Sequence, residues 1–229
     1  MAISKFTTKN TYDLTAFYNW LLANKTGTFL ENMTITLTSA SSTGSVLTIA
    51  SENAVVTFNT KETSSSFNAV ILTGAYDTWA FPFRSVNYTE AGLKLSGAIL
   101  CSKGILFSTY GMYASGSWTT NYSFGITVDS SGEIALIHTN GNINVNSFTG
   151  YKAAVYKSTA EQTVTLTPAY NSTLTSLAPI APTTGDNNIT LPYAFAALHT
   201  QFSNQCLAAV AIDGNNYITN GCWYIKDGA

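Results

Sequence analysis

Residues 33–38 run Met-Thr-Ile-Thr-Leu-Thr, each apolar side chain followed by a hydroxyl. Successive side chains of a strand point to opposite faces, so a period of two fits a half-buried β-strand and not a helix. Strand-sized runs recur at 46–49, 55–58, 69–73, 79–83, 93–100, 104–108, 122–128, 134–138, 153–156 and 163–166. Many short strands, spaced at about 8–12 residues and separated by turn-forming residues, predict a mainly β chain with an antiparallel β-sandwich or jelly-roll-like body. Turn chemistry supports the pairing. Asp129-Ser130-Ser131-Gly132 predicts a type I turn closed by a glycine bulge, and Asn140-Gly141 is a second hairpin signal.

Two segments break the period. Leu14, Phe17, Tyr18, Leu21 and Leu22 recur at helical spacing and predict a short N-terminal helix. Asn10 or Thr11 would cap it, Asp13 would sit in its first turn, and Gly27 would follow its end. Trp20 falls on the side away from that stripe, so either the helix is buried on two sides or Trp20 meets a partner. Near the C-terminus, Tyr193, Ala194, Ala197, Leu198 and Phe202 predict a second short helix over 193–202. Strands at 206–212 and 216–218 around Asp213-Gly214, and a last strand at 223–225, complete that end. Pro168, Pro179, Pro182 and Pro192 are four of the five prolines, and the Ser/Thr/Asn-rich stretch they punctuate reads as an extended connector. The expected organisation is a helix and β-meander over 1–60, a central sandwich over 61–167, the connector over 168–192, and a helix plus hairpin over 193–229.

Charge is what this chain lacks. Only 10% of its residues are charged, Arg84 is its sole arginine, and about a third are Ser, Thr or Asn, while 13% are aromatic. A soluble monomer usually carries charges of both signs over its surface, and here hydroxyls, amides and tyrosines must cover most of the outside. A hydrophobic share of 45% is far from the composition of a disordered chain. A net charge of −2 with scattered cations argues against a nucleic-acid partner. Met1 to Phe6 lacks the apolar core of a signal peptide and no apolar run is long enough to span a bilayer, so the chain is expected to be made in the cytosol with no membrane insertion.

No motif names a reaction. His138 and His199 stand without a neighbouring ligand at zinc spacing, and the serines include no Gly-x-Ser-x-Gly elbow. Asp129, Ser131 and Glu133 alternate as calcium ligands sometimes do, but a hairpin turn accounts for all three more simply. A glycoside hydrolase would need paired carboxylates facing one cleft, whereas the acids here sit in turns or stand alone. Cys101, Cys206 and Cys222 form no disulfide framework and read as reduced thiols. No catalytic residue, metal ligand or cofactor is therefore assigned. Aromatics are the remaining signal: Tyr110, Tyr113 and Trp118 flank a glycine-containing loop, and with Trp20 they are the candidate contacts for a protein partner or a glycan.

The whole chain resembles structural proteins of tailed bacteriophage virions in style. The resemblance rests on the leading Tyr12-Asp13-Leu14-Thr15-Ala16-Phe17, the Thr/Ser/Asn-rich β-body, the proline connector, and the ending Trp223-Tyr224-Ile225-Lys226-Asp227-Gly228-Ala229. It implies a non-enzymatic component of a tail, baseplate, collar or fibre, localised in the virion, whose partners are copies of itself and other virion proteins. The physical reading points the same way: few ions need desolvating when uncharged subunits meet, and an edge strand such as 33–38, unguarded by lysine or proline, can pair with a neighbour. The alternative is a carbohydrate-binding or host-receptor-binding module that uses Tyr110, Tyr113 and Trp118 as a stacking platform for a host surface glycan.

Overall fold

A computed structural model describes residues 3–8, 14–40, 44–52, 55–61, 67–73, 83–84, 94–111, 122–139, 151–157, 160–166, 177–179, 190–196, 207–220 and 223–228. The chain is mainly β, its strands are antiparallel, and the described residues contain one helix. Strand β1 (Ser4–Thr8) is followed by helix α1 (Leu14–Ala23) and a meander of β2 (Thr34–Ala40), β3 (Gly44–Ala50), β4 (Val55–Lys61), β5 (Phe67–Thr73) and β6 (Phe83–Arg84), which pair in that order as one sheet. A second meander contains β7 (Lys94–Cys101), β8 (Gly104–Gly111), β9 (Tyr122–Val128), β10 (Ile134–Thr139), β11 (Tyr151–Lys157) and β12 (Ala160–Leu166). Strand β1 joins its edge beside β7, with Ser4 opposite Leu100, giving a seven-stranded sheet. The C-terminal sheet has the order β13 (Ala178–Pro179), β14 (Ala194–Ala196), β17 (Trp223–Asp227), β16 (Asn215–Thr219) and β15 (Ala208–Ile212).

The seven-stranded sheet lies between the other two, and alternation along its strands explains how. Ala98 and Leu100 of β7, Ile105 and Phe107 of β8, and Ile134 and Leu136 of β10 share a core with Phe17 and Leu21 of α1 and with Ile35, Leu47, Ile49 and Val56 of the first sheet. The intervening Ile99, Cys101, Leu106, Ala135 and Ile137 point the other way, into a core with Leu191, Ala194, Leu207, Ile218, Trp223 and Ile225 of the C-terminal unit. A strand covered on both faces reads as a continuous apolar run, which is what Ala98–Cys101, Ile105–Phe107 and Ile134–Ile137 are.

The C-terminal sheet seats through a knob and a hole. Ile225 reaches over β8 and β9, where Gly104 and Gly125 leave room for it. A Cβ on Gly104 would lie 2.7 Å from Ile225 Cδ1 and 2.5 Å from the Ile126 carbonyl oxygen. Polar ties finish the seam. The Ser102 backbone N–H and hydroxyl donate to the Asp227 carboxylate at 3.1 and 2.9 Å, and buried Asn220 donates to the Phe107 carbonyl at 3.0 Å.

The helix predicted over 193–202 is corrected at its start: Ala194–Ala196 form a strand between β13 and β17, with Phe195 opposite Tyr224. Alanine favours helix by only tenths of a kcal/mol, and completing a sheet against a buried neighbour outweighs that preference; residues 197–202 lie outside the described set. The N-terminal helix is present, with Phe17 and Leu21 buried and Tyr18 half-buried, though Leu22 is 44% exposed, so its inward stripe is narrower than the spacing implied. Its cap positions, Asn10 and Thr11, and Asp13 are outside the described residues. The Asp129 turn forms with Gly132 at φ 83°, while Asn140-Gly141 is outside the described set. Asp213 and Gly214 both take positive φ, 48° and 74°, as a two-residue type I′ hairpin loop requires.

Candidate functional site

Among the described residues six strands end the three sheets, and their sequences differ in the residues that can guard an edge. Strand β1 carries Lys5, whose Nζ donates to the Leu207 carbonyl at 2.8 Å. Strand β12 carries Glu161, β6 is a two-residue strand that includes Arg84, and β13 is a two-residue strand that ends in Pro179. Charges, proline and shortness are how proteins blunt a sheet edge against pairing with another chain. Strands β2 and β15 have none of these within their spans.

The two differ at their ends. Strand β15 has Lys5 bonded beside its start and exposed Asp213 directly after its end. Strand β2 is bare for much further: from Met33 to Thr60 the sole charged residue is Glu52. It pairs with β3 alone among the described strands. Thr34, Thr36 and Thr38 are exposed on one face, while Ile35 is buried and Leu37 half-buried on the core face. Thr36 lies opposite Thr48 of β3, and their hydroxyls are hydrogen-bonded. An edge of this kind offers a row of backbone donors and acceptors with no ion to desolvate, and what it can do is accept another strand.

The predicted contact residues are placed as follows. Trp20 is half-buried within its own chain: its ring stacks on Phe17 at 5.7 Å and meets Phe6 of β1 at 5.6 Å, and its Nε1 donates to the Ser4 hydroxyl at 3.0 Å. The helix is thus covered on two sides. Tyr110 lies in β8 opposite Leu95, and Tyr113 and Trp118 are outside the described residues. His138 lies in β10 opposite Phe124 and Ala154, and His199, Cys206 and Cys222 are outside the described residues.

Reactive groups that are described have structural surroundings. One oxygen of the buried Asp129 carboxylate accepts from the Ser131 amide at 2.8 Å, the Ser131 hydroxyl at 2.7 Å and the Glu133 amide at 2.9 Å. Burial pushes the Cys101 thiol up to about 12, far from the range of a nucleophilic cysteine. Among the described residues no three of His, Cys, Asp and Glu gather where a metal ion could sit, and no helix is long and apolar enough to cross a membrane. The strand over 206–212 expected from the sequence is β15, but its place at a sheet edge and the Lys5 tie beside it were not anticipated. The uniform Ala-Ala-Val-Ala-Ile run signals a strand but not an edge.

No protein-family model, curated protein or solved structure matches this chain.

Proposed function

We propose that this chain is a non-enzymatic structural component that assembles into symmetric oligomers through uncharged β-edges, as part of a bacteriophage virion and in its tail or baseplate. The observation that carries the assembly reading is the β2 edge, paired on one side only among the described strands, whose seven residues have no charge or proline and whose first five alternate hydroxyl and aliphatic. The virion setting is supported by the stylistic resemblance of the whole chain to such proteins. Low charge serves this role, because surfaces that remain covered need few ions to stay soluble and cost little to desolvate when they meet. Light scattering over a concentration series is the test. The account expects a mass at a defined multiple of 24.5 kDa at micromolar concentration, and a chain that stays monomeric throughout would overturn it.

A further inference from the structure

We infer that β2 pairs with β2 of a second copy, antiparallel about a two-fold axis at Leu37, so that the first sheet runs continuously through both subunits. This rests on the assembly reading above and names its partner and register. Three observations lead to it. On a two-fold axis every residue near the centre faces its own kind, so a charge there meets a like charge; an edge that is to pair with itself must be uncharged, and β2 is. Second, residues opposite each other in an antiparallel pair share a face, so a two-fold register must be centred on a residue, which keeps Ile35 and Leu37 of both copies on the core face. Centring on Leu37 uses all seven residues of β2: Leu37 meets Leu37, Thr36 meets Thr38, Ile35 meets Ser39 and Thr34 meets Ala40. The Thr–Thr contact this creates repeats the one already made inside the chain between Thr36 and Thr48. Third, Leu37 packs against the inner core yet is only half-buried, whereas Ile35 on the same face is buried; a second strand alongside would cover it.

Cysteine crosslinking reads the register. Under mild oxidation Leu37→Cys is expected to form a disulfide-linked dimer by itself, because the axis brings the two positions face to face. Thr34→Cys alone is not, since its two copies would be about 20 Å apart along the strands; mixed with Ala40→Cys it should crosslink. The parent chain, with Cys101, Cys206 and Cys222, sets the background. Thr36→Lys, at an exposed position that leaves the core intact, should weaken association at least about tenfold by setting two ammonium groups diagonally across the axis. If the parent chain associates but Leu37→Cys gives no dimer above background and Thr36→Lys associates as the parent does, the β2 pairing is wrong and the assembly reading stands. If the parent is a monomer, both fail.

Discussion

Replacing Gly104 with alanine probes how the C-terminal sheet is held on the central one. The added Cβ would meet two walls: the Ile126 carbonyl oxygen at 2.5 Å and Ile225 Cδ1 at 2.7 Å. Real Cβ atoms do not approach other atoms so closely, so something must move. The first wall is backbone in the β8–β9 ladder and yields only by distorting the sheet; the second is a side-chain tip. Overpacking a filled site costs about 1–3 kcal/mol, and with a backbone obstacle the cost should fall in the upper half of that range. For a chain of this size each kcal/mol lowers the melting temperature by roughly 2–4 °C. Ile225→Val, which deletes the methyl over Gly104, should cost about 0.5–1.5 kcal/mol by itself. The double variant should then be less destabilised than the sum of the two, by about 1 kcal/mol, because the second change removes one of the obstacles to the first. Gly214→Ala is the control: it has positive φ but no atom within 4 Å of an added Cβ. Its loss of about 1–2 kcal/mol should not couple to Ile225→Val. Denaturant unfolding at fixed protein concentration measures the three single variants and the two double variants. Parent-like stability of Gly104→Ala, or strict additivity with Ile225→Val, would refute this seating of β17.

Two further outcomes follow from the polar and thiol chemistry. Asp129→Ala leaves the amides of Ser131 and Glu133 without the carboxylate that accepts from both, and should cost about 2 kcal/mol in urea unfolding, with Asp129→Asn costing less because it keeps an acceptor oxygen. The Cys101 thiol, raised from 9.0 to about 12 by burial, holds its proton more tightly folded than unfolded. Its contribution to stability is therefore full below pH 9 and is lost as the pH rises towards 12. Native protein at pH 8 should leave Cys101 unlabelled by a thiol reagent, as peptide mapping would show, and denatured protein should label it.

Much of the fold is written in local patterns. Residues 122–128 were expected as a strand and are β9 to the residue, and the Asp129 turn that follows needs only its own side chain and Gly132. What local pattern does not carry is which strand neighbours which. Strand β1 is a five-residue segment whose partner, β7, comes more than eighty residues later, so nothing near Phe6 announces the pairing. Ala194–Ala196 favours helix by composition and is a strand because β17 lies beside it. The three-layer arrangement did leave a signal: Ala98-Ile99-Leu100-Cys101 and Ile134-Ala135-Leu136-Ile137 do not alternate, as strands covered on both faces should not. The candidate site divides the same way. The alternation and lack of charge in β2 are plain in its residues, but its place at an edge is a property of strand order. Trp20, ambiguous on the helix alone, found its neighbours in Phe6 and Ser4, which only the pairing of β1 with β7 brings to it.

Hydrogen exchange at β2, read as a function of protein concentration, tests the central claim most directly. Antiparallel strands direct alternate amides to opposite sides, and in the isolated chain only the amides of β2 that face β3 have a strand partner among the described strands. The account predicts that the outward-facing amides of Thr34–Ala40 exchange freely in dilute solution and become protected as concentration rises, with the protection lost in Thr36→Lys. If the parent chain associates while those amides exchange at one rate at every concentration, β2 is not the edge through which copies of this chain meet.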